Sequence, residues 1–198
     1  PSGGFGDAGL FMNKTGGSQI GTAGGTLSLD GGDLNTASGA YIVSAGSQQI
    51  NANAITLTGG TNLGDNRAKI RAAGNQTVTA TGDITLSGGS GNGVSRASIE
   101  SGGSQTVSAV NISLDAGTGA SDAGAFLEAD GNQSITATGN VTLTGDANAL
   151  NNEAGIASEA TQTINITGDL ELAGGGGSSA GAAMITAPTQ NITVGGDV

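Results

Sequence analysis

The sequence predicts an all-β protein, a right-handed parallel β-helix with three strands per coil and about 28 to 29 residues per coil. Six glutamines, each two positions before an Ile or Val, recur at this nearly constant period, and a fixed period of this size is typical of solenoids. Apolar and polar residues alternate within each period, and 39 glycines divide the alternating runs. The six glutamines are Gln48, Gln76, Gln105, Gln133, Gln162 and Gln190.

The first strand of each repeat, strand a, is clearest just after Gly74. Gln76, Val78 and Ala80 alternate there with threonines, which is the period-2 pattern of a strand with one buried face. Threonine and valine also have high β-propensity. Pattern and composition therefore both indicate a strand.

Two further strands complete the repeat. Gly82 permits a sharp corner, after which Ile84 and Leu86 mark the inner side of strand b. A loop of Gly, Ser and Asn follows, and strand c closes the repeat with Ala97 and Ile99 on its inner side. Equivalent strands of successive repeats stack in parallel, so the coil is expected to be right-handed and to rise about 4.8 Å per turn.

Other classes of structure fit this pattern less well. Apolar residues recur at a spacing of two, and each glycine would cost about 1 kcal/mol inside a helix. A β-propeller blade needs four antiparallel strands and about 40 to 45 residues. Disorder competes for a chain rich in Gly, Ser, Thr and Asn, but random polar sequence would not keep apolar pairs in phase from one repeat to the next along nearly the whole chain.

The composition suits a narrow interior. Only 35% of the residues are hydrophobic and 2% are aromatic, which is enough for a column of stacked Ile, Val, Leu and Ala but not for a thick core. The repeating glutamines are expected at the edge of this column, where their amides can bond to those of neighbouring coils. We predict a structural ladder, since a binding site rarely needs the same residue in every repeat.

The repeats predict one β-helix segment over residues 1–198, of about six to seven coils and truncated at both ends. Five copies are clear, and residues 16–45 form a looser copy in which Ile20 is expected at an inner position. Neither end of the sequence resembles a cap for exposed strand edges. The ends are therefore expected to meet either more of a longer chain or another subunit.

Charge and hydropathy argue against two classes of partner. The net charge is −11, and the five basic residues are not expected to form the cluster that nucleic-acid phosphates need. Arg67, Lys69 and Arg71 share one repeat, and an ion pair from Arg71 to Glu100 across neighbouring coils is the favoured interpretation. No apolar run approaches the roughly 18 to 20 residues that span a bilayer, so membrane insertion is not expected.

Catalytic and metal-binding chemistry has few candidates. Without Cys or His, the chain has no thiol nucleophile, imidazole base or usual zinc ligand. Glu100 and Glu128 fall at matching strand c positions about 5 Å apart, the carboxylate spacing of a retaining glycosidase. No aromatic platform surrounds them, so an acidic stripe on a solvated face is favoured. Residues 3–7 miss the GGxGxD calcium turn by one residue, and neither a metal nor a cofactor is expected.

Two outer surfaces are candidates for contact. Outward threonines of strand a, such as Thr77 and Thr79, resemble the hydroxyl rows of ice-binding β-helices, but Asn and Gln interrupt the rows and β-propensity alone explains them. The outer side of strand c carries apolar side chains that could serve lateral fibre contacts or stack on a glycan. These candidate contact residues are Tyr41, Val43, Phe126 and Met184.

A recurring phrase resembles a known family. The phrase runs G-N-Q-[ST]-[IV]-T-A-T-G-[DN]-[IV]-T-L-[ST]-G at Gly74 to Gly88 and again at Gly131 to Gly145. It is similar to the repeats of filamentous haemagglutinin-like adhesins of Gram-negative bacteria, which are exported by two-partner secretion. The resemblance covers nearly the whole chain and implies a right-handed β-helical shaft that is secreted through an outer-membrane pore and displayed at the cell surface. The family's amino-terminal secretion domain has no counterpart in these residues, so transport itself is not expected of them.

Together these features predict a structural protein rather than an enzyme. The expected function is that of a rod or shaft segment of a secreted cell-surface adhesin or extracellular fibre, acting in adhesion or in a biofilm matrix. Its expected partners are copies of itself, joined end to end or laterally, and a receptor or glycan on a host or neighbouring cell. An ice-binding β-helix and a carbohydrate-active β-helix enzyme remain alternatives.

Overall fold

Three parallel sheets wind around a common axis in a computed structural model of the chain, which confirms the predicted β-helix with three strands per coil. The structure describes residues 11–14, 17–33, 38–119, 122–146, 152–176 and 181–198. No helix occurs among these residues. Each sheet collects one strand from every coil, and we name the sheets a, b and c after the strands that form them.

The strand bounds follow the glycine corners. Sheet a contains β2 Gln19–Thr22, β5 Gln48–Ala52, β8 Gln76–Ala80, β11 Gln105–Ala109, β14 Gln133–Ala137, β17 Thr161–Ile166 and β20 Thr189–Val194. Sheet b contains β3 Thr26–Asp30, β6 Ala54–Thr58, β9 Ile84–Ser87, β12 Ile112–Asp115, β15 Val141–Thr144 and β18 Leu170–Ala173. Sheet c contains β1 Phe11–Lys14, β4 Ala40–Ser44, β7 Ala68–Ala72, β10 Ala97–Ser101, β13 Ala125–Ala129, β16 Ala154–Ser158 and β19 Ala183–Thr186.

We number the coils 1 to 6, so that coil 1 runs from β2 to β4 and coil 6 from β17 to β19. Each residue pairs with its counterpart one coil away; in sheet c, for example, Ile70 lies opposite Ile99. In sheet b, Leu86 lies opposite Leu114, and both are fully buried. The interior is therefore a set of aliphatic columns along the axis, in which each side chain packs on a similar one above and below.

The repeating glutamines line the inner edge of sheet a as a hydrogen-bonded ladder. Each amide Nε2 donates to the Oε1 of the glutamine one coil earlier, over 2.7 to 3.1 Å. The same Nε2 reaches back to the carbonyl of the preceding strand c, as from Gln105 to Ile99 over 3.1 Å. Gln19 extends the ladder into coil 1, and Gln190 keeps its bond to the ladder although its side chain is exposed.

A second ladder runs along the corner between sheets a and b. Asp83, Asn111, Asn140 and Asp169 follow one another at this corner, and each Oδ1 accepts the main-chain N–H one coil later, over 2.8 to 3.1 Å. Short polar side chains are favoured here because they hydrogen-bond to the backbone without extending into solvent. This ladder fixes the corner in the same register as the glutamines.

Coil 1 departs from the prediction. Ile20 was expected at an inner position, but Gln19 pairs with Gln48, so Ile20 points outward and 71% of it is exposed. Gly21 therefore takes the inner position opposite Ile50. The missing side chain leaves an apolar cavity of about 160 Å³ beside Leu27. The prediction for Ile20 was wrong because Gln19 takes the inner position and continues the glutamine ladder.

The loops between strands b and c also stack on one another. In coils 2 to 6 a main-chain N–H closes the loop, as from Gly60 to the carbonyl of Asn66 over 2.8 Å and from Gly89 to that of Ser95 over 2.7 Å. The donor is a glycine in all of these coils except coil 5, where it is Asp146. A Cβ on Gly88 would overlap the carbonyl oxygen of Ala123 in the next coil, so only glycine fits there. These stacked loops deliver the residues just before strand c to the outer side of sheet c.

Candidate functional site: the outer face of sheet c

The outer sides of the sheets differ in how strictly they repeat. From coil 2 to coil 6, the outward side chains of sheet a are all hydroxyls and amides, whereas those of sheet c change in every coil. We call this outer side of sheet c, together with the residues just before its strands, face c. In order from coil 1 to coil 6, its outward strand residues are Tyr41 and Val43, Lys69 and Arg71, Ser98 and Glu100, Phe126 and Glu128, Gly155 and Ala157, and Met184 and Thr186.

Face c also gathers the positive charge of the protein. Four of the five basic residues lie there, and they are paired with Asp65, Glu100, Asp122 and Glu128. The basic residues lie close together, but each has an acidic partner, and Glu153 directly before β16 adds a further negative charge to face c. The basic residues are Arg67, Lys69, Arg71 and Arg96.

Glu100 is the centre of the first charge group. Its Oε1 lies 2.8 Å from Lys69 Nζ and accepts the Ser98 hydroxyl over 2.8 Å, while Arg71 Nε lies 3.9 Å from Oε2. Burial raises the pKa of Glu100, but the hydrogen bond and charge of Lys69, the Ser98 hydroxyl and the charge of Arg96 outweigh it. The pKa of Glu100 therefore lies below its ordinary value, and this carboxylate stays ionised.

Arg96 is the centre of the second group. Its guanidinium carbon lies 4.1 Å from the centre of the Phe126 ring, a cation–π contact. Its nitrogens also lie 3.3 Å from Glu128 Oε1 and 3.5 Å from Asp122 Oδ1. Phe126 was expected to face solvent, which is wrong, since only 7% of it is exposed beneath this arginine.

Glycines make room for the ring. A Cβ on Gly124 would overlap a carbon of the Phe126 ring, and one on Gly155 would lie 2.9 Å from it. Tyr41 lies over Gly39 in the same way, where a Cβ would overlap the phenol ring. The aromatic rings thus lie flat along sheet c. Tyr41, together with the other two predicted contact residues, is half-buried. These other two residues are Val43 and Met184.

Glu100 and Glu128 stand opposite each other in neighbouring strands, at the register that the sequence predicted. Burial raises the pKa of Glu128 and the negative charge of Glu100 adds to this, while the charges of Arg96 and Lys69 only partly offset it. The pKa values of the two carboxyls are therefore pushed apart, as in acid and base pairs. The depression beside them holds only about 70 Å³, against the roughly 300 Å³ or more of an ordinary ligand pocket. Each carboxylate also has a cationic partner, so the arrangement fits ion pairing better than catalysis on a sugar.

The remaining candidates give no site. Within the described ranges, no group of three or more Asp or Glu side chains could hold a metal ion, and the calcium-like turn at residues 3–7 lies outside those ranges. The threonine rows on the outer side of sheet a are interrupted by Asn51 and Asn165. In the part of the chain that the structure describes, no helix is long and apolar enough to cross a membrane.

Sequence reasoning missed Arg96 and Asp122. Arg96 stands one full repeat after Arg67, directly before a strand c in both cases, so the repeat itself carried the signal. Its contact with Phe126 joins two coils and could not be read from one repeat. Asp122 stands three residues before a strand c, as Asp65 does two coils earlier, and each pairs with an arginine that directly precedes a strand c.

Comparison with known proteins adds no assignment. No protein-family model, curated protein or solved structure matches the chain. The structure defines the class of protein, which is a three-sheet parallel β-solenoid.

Proposed function

We propose that this chain is a rod segment of a secreted cell-surface adhesin or extracellular fibre, without catalytic activity. The observation that carries the proposal is the unbroken register of three sheets and the glutamine ladder over six coils, with the corner ladder beside them from coil 3 onward. Six coils at about 4.8 Å each form a column about 29 Å long. Such a column spaces and displays other elements, which is a mechanical function.

The ladders make the column stiff. Bending it would separate coils on one side and break buried amide bonds such as the one from Gln133 to Gln105, which measures 2.7 Å. A buried amide that loses its partner costs about 1 to 3 kcal/mol, and every coil has one. The resistance to bending is therefore distributed along the whole axis.

The adhesive part of the proposal follows from face c and from the repeat phrase. Adhesion or biofilm cohesion needs a surface that contacts a partner, and face c alone places aromatic, basic and acidic side chains together among the described residues. The repeat resembles that of two-partner secretion adhesins, which supports an extracellular location. A receptor or glycan on a neighbouring cell is the partner class that this resemblance favours.

The rod function is tested by stretching single molecules between two attached handles. A solenoid should lengthen in steps of about 95 Å, the extended length of one coil, at forces that a disordered chain would not resist. Smooth extension without steps would contradict the rod. Adhesion is tested by counting coated beads retained on bacterial and epithelial cell layers, with beads carrying the heat-unfolded chain as the control.

Two simple assays separate the alternatives. Thermal hysteresis in freezing solutions would favour the ice-binding alternative over the rod. Release of sugars from a polysaccharide panel, if abolished by Glu100→Gln, would favour the carbohydrate-active enzyme. The rod predicts neither result.

A further inference from the structure

Face c is the described surface on which opposite charges can meet when two copies of this chain associate. The outward strand residues of sheet a are uncharged, and the charged ones of sheet b are acidic, such as Asp115 and Glu171. On face c the four basic residues stand among acidic ones. Electrostatic attraction therefore favours this face for self-association.

When one copy is turned antiparallel to another, charges of opposite sign on the two copies of face c lie opposite each other. Coil 2 is basic, with Arg71 more than half exposed, and coil 4 is acidic, with Asp130 exposed just after β13. Turning one copy by a half-turn about coil 3 places the basic coil of each copy on the acidic coil of the other. A parallel arrangement would place basic on basic.

We propose that a second copy of this chain binds face c side by side and antiparallel, about a two-fold axis that passes through coil 3. Arg71 of each copy then lies opposite Glu128 of the other, with Asp130 two residues further along, and Val43 meets Ala157. Near the axis Glu100 approaches its own counterpart, and Lys69 at 2.8 Å neutralises each carboxylate. The contact is isologous, so it closes as a dimer.

The available area sets the strength of this dimer. Seven strands about 4.8 Å apart and about 17 Å long present roughly 560 Å² per copy, or roughly 1,100 Å² in total. That is the lower end of specific interfaces, where binding is weak and reversible. Such contacts suit lateral bundling of rods, in which many weak contacts add along a fibre. The proposal rests on the rod function for its biological use, but its test measures association and not stiffness.

Single introduced cysteines can locate the two-fold axis of the dimer, because the chain has no cysteine of its own. Val43→Cys and Ala157→Cys are made separately, and the two proteins are mixed under mild oxidation. Within one copy the two positions are four coils, or about 19 Å, apart, which is too far for a disulfide. We expect cross-linked dimers in the mixture and few when either variant is oxidised alone. Equal cross-linking of one variant with itself would place the axis elsewhere and overturn the proposal.

Charge reversal then tests the pairing by sedimentation of the unmodified dimer. Asp130→Arg places a second arginine close to Arg71 at two symmetric points, so the dissociation constant should rise roughly tenfold. Adding Arg71→Glu to the same chain should restore association. The matched control is Glu171→Arg, the same charge change on the exposed side of sheet b, which should leave the constant nearly unchanged. Circular dichroism checks that each variant is folded.

Two results would contradict the proposed dimer. A chain that stays monomeric at the highest soluble concentration and gives no mixed disulfide has no such interface. Equal weakening by Asp130→Arg and Glu171→Arg would mean that only net charge matters. Either result leaves the stretching experiment, and with it the rod function, untouched.

Discussion

Sheets a and c are alike on their inner sides and differ on their outer sides. Inside, both repeat the same residues in nearly every coil: Gln, Ile or Val, and Ala in sheet a; Ala, Ile or Leu, and Ala or Ser in sheet c. Outside, sheet a keeps hydroxyls and amides, whereas face c places a different pair of side chains in each coil. The inner side must repeat because each residue packs on its own copy. An outer side is free to vary, so variation on one face only indicates where individual side chains are used.

The largest expected effect tests the inner side. Gln105→Leu removes the donor to Gln76 and to the Ile99 carbonyl and the acceptor for Gln133. The buried Gln76 Oε1 then loses its donor, while Gln133 Nε2 keeps only its bond to the Leu127 carbonyl. The free energy of unfolding should fall by about 3 to 4 kcal/mol, measured by urea denaturation. The outward neighbour provides the control, since Thr106→Val should change it by less than about 0.5 kcal/mol. Similar losses for both variants would remove the distinction between inside and outside.

The next effect tests face c. Phe126→Ala removes a ring that is only 7% exposed, together with its contact to Arg96, and should cost about 2 kcal/mol. Thr136→Ala, at an outward position of sheet a in the next coil, is the control and should cost little. Thermal unfolding of the three proteins measures the difference. If Phe126→Ala cost as little stability as Thr136→Ala, the outer side chains of sheet c would contribute no more to stability than those of sheet a.

A stabilising change sharpens the comparison within sheet a. Gly21→Val should fill part of the cavity of about 160 Å³ with a residue that coils 3 and 4 carry at this position, and it should raise stability by about 1 kcal/mol. A Cβ there lies 3.1 Å from Ile50 Cδ1, the flexible end of a side chain that can move aside. Thr22→Val, at the exposed neighbouring position, should have no such effect in the same urea experiment. A loss of stability would show that the cavity is needed for packing in coil 1.

The smallest effect concerns the two glutamates of face c and depends on pH. The lowered pKa of Glu100 stabilises the fold above the ordinary glutamate pKa, and this contribution disappears as the pH falls through the folded-state value. The raised pKa of Glu128 acts oppositely, since its ionisation reduces stability as the pH rises.

The free energy of unfolding, measured between acid and neutral pH, reports the contributions of both glutamates. Glu100→Gln should lower stability by about 1 kcal/mol or less at neutral pH and by less in acid. Glu128→Gln should flatten the decline in stability as the pH rises above the ordinary glutamate pKa. Parallel pH profiles for both variants would contradict the separation of the two pKa values.

Much of the fold could be predicted because, in a solenoid, the strand register follows from the number of residues in each repeat. Glutamines one period apart must stack if each coil is one repeat, and Val78 or Leu86 then follows into place. Glu100 and Glu128 were correctly placed opposite each other for the same reason. Ile20 failed because its neighbour Gln19 competes for the inner side, and only the hydrogen bond to Gln48 decides the outcome.

The candidate site was less predictable because its contacts join different coils through the ends of long side chains. The burial of Phe126 depends on Arg96, which belongs to the preceding coil, and on Gly155, which belongs to the following one. Neither contact is visible within a single repeat. The repeat length therefore predicts the positions of the strands, but it does not predict the orientation of a long, flexible side chain.

The glutamine amides all point the same way, since each Nε2 donates to the preceding coil. Aligned amide dipoles reinforce one another, so the column has a polarity and its two directions are not equivalent. A coil already formed presents an unfilled acceptor to the segment that follows it. If the polypeptide emerges with its amino end first, each folded coil offers a hydrogen-bond acceptor to the next coil. The protein is therefore suited to folding one coil at a time from its amino-terminal side.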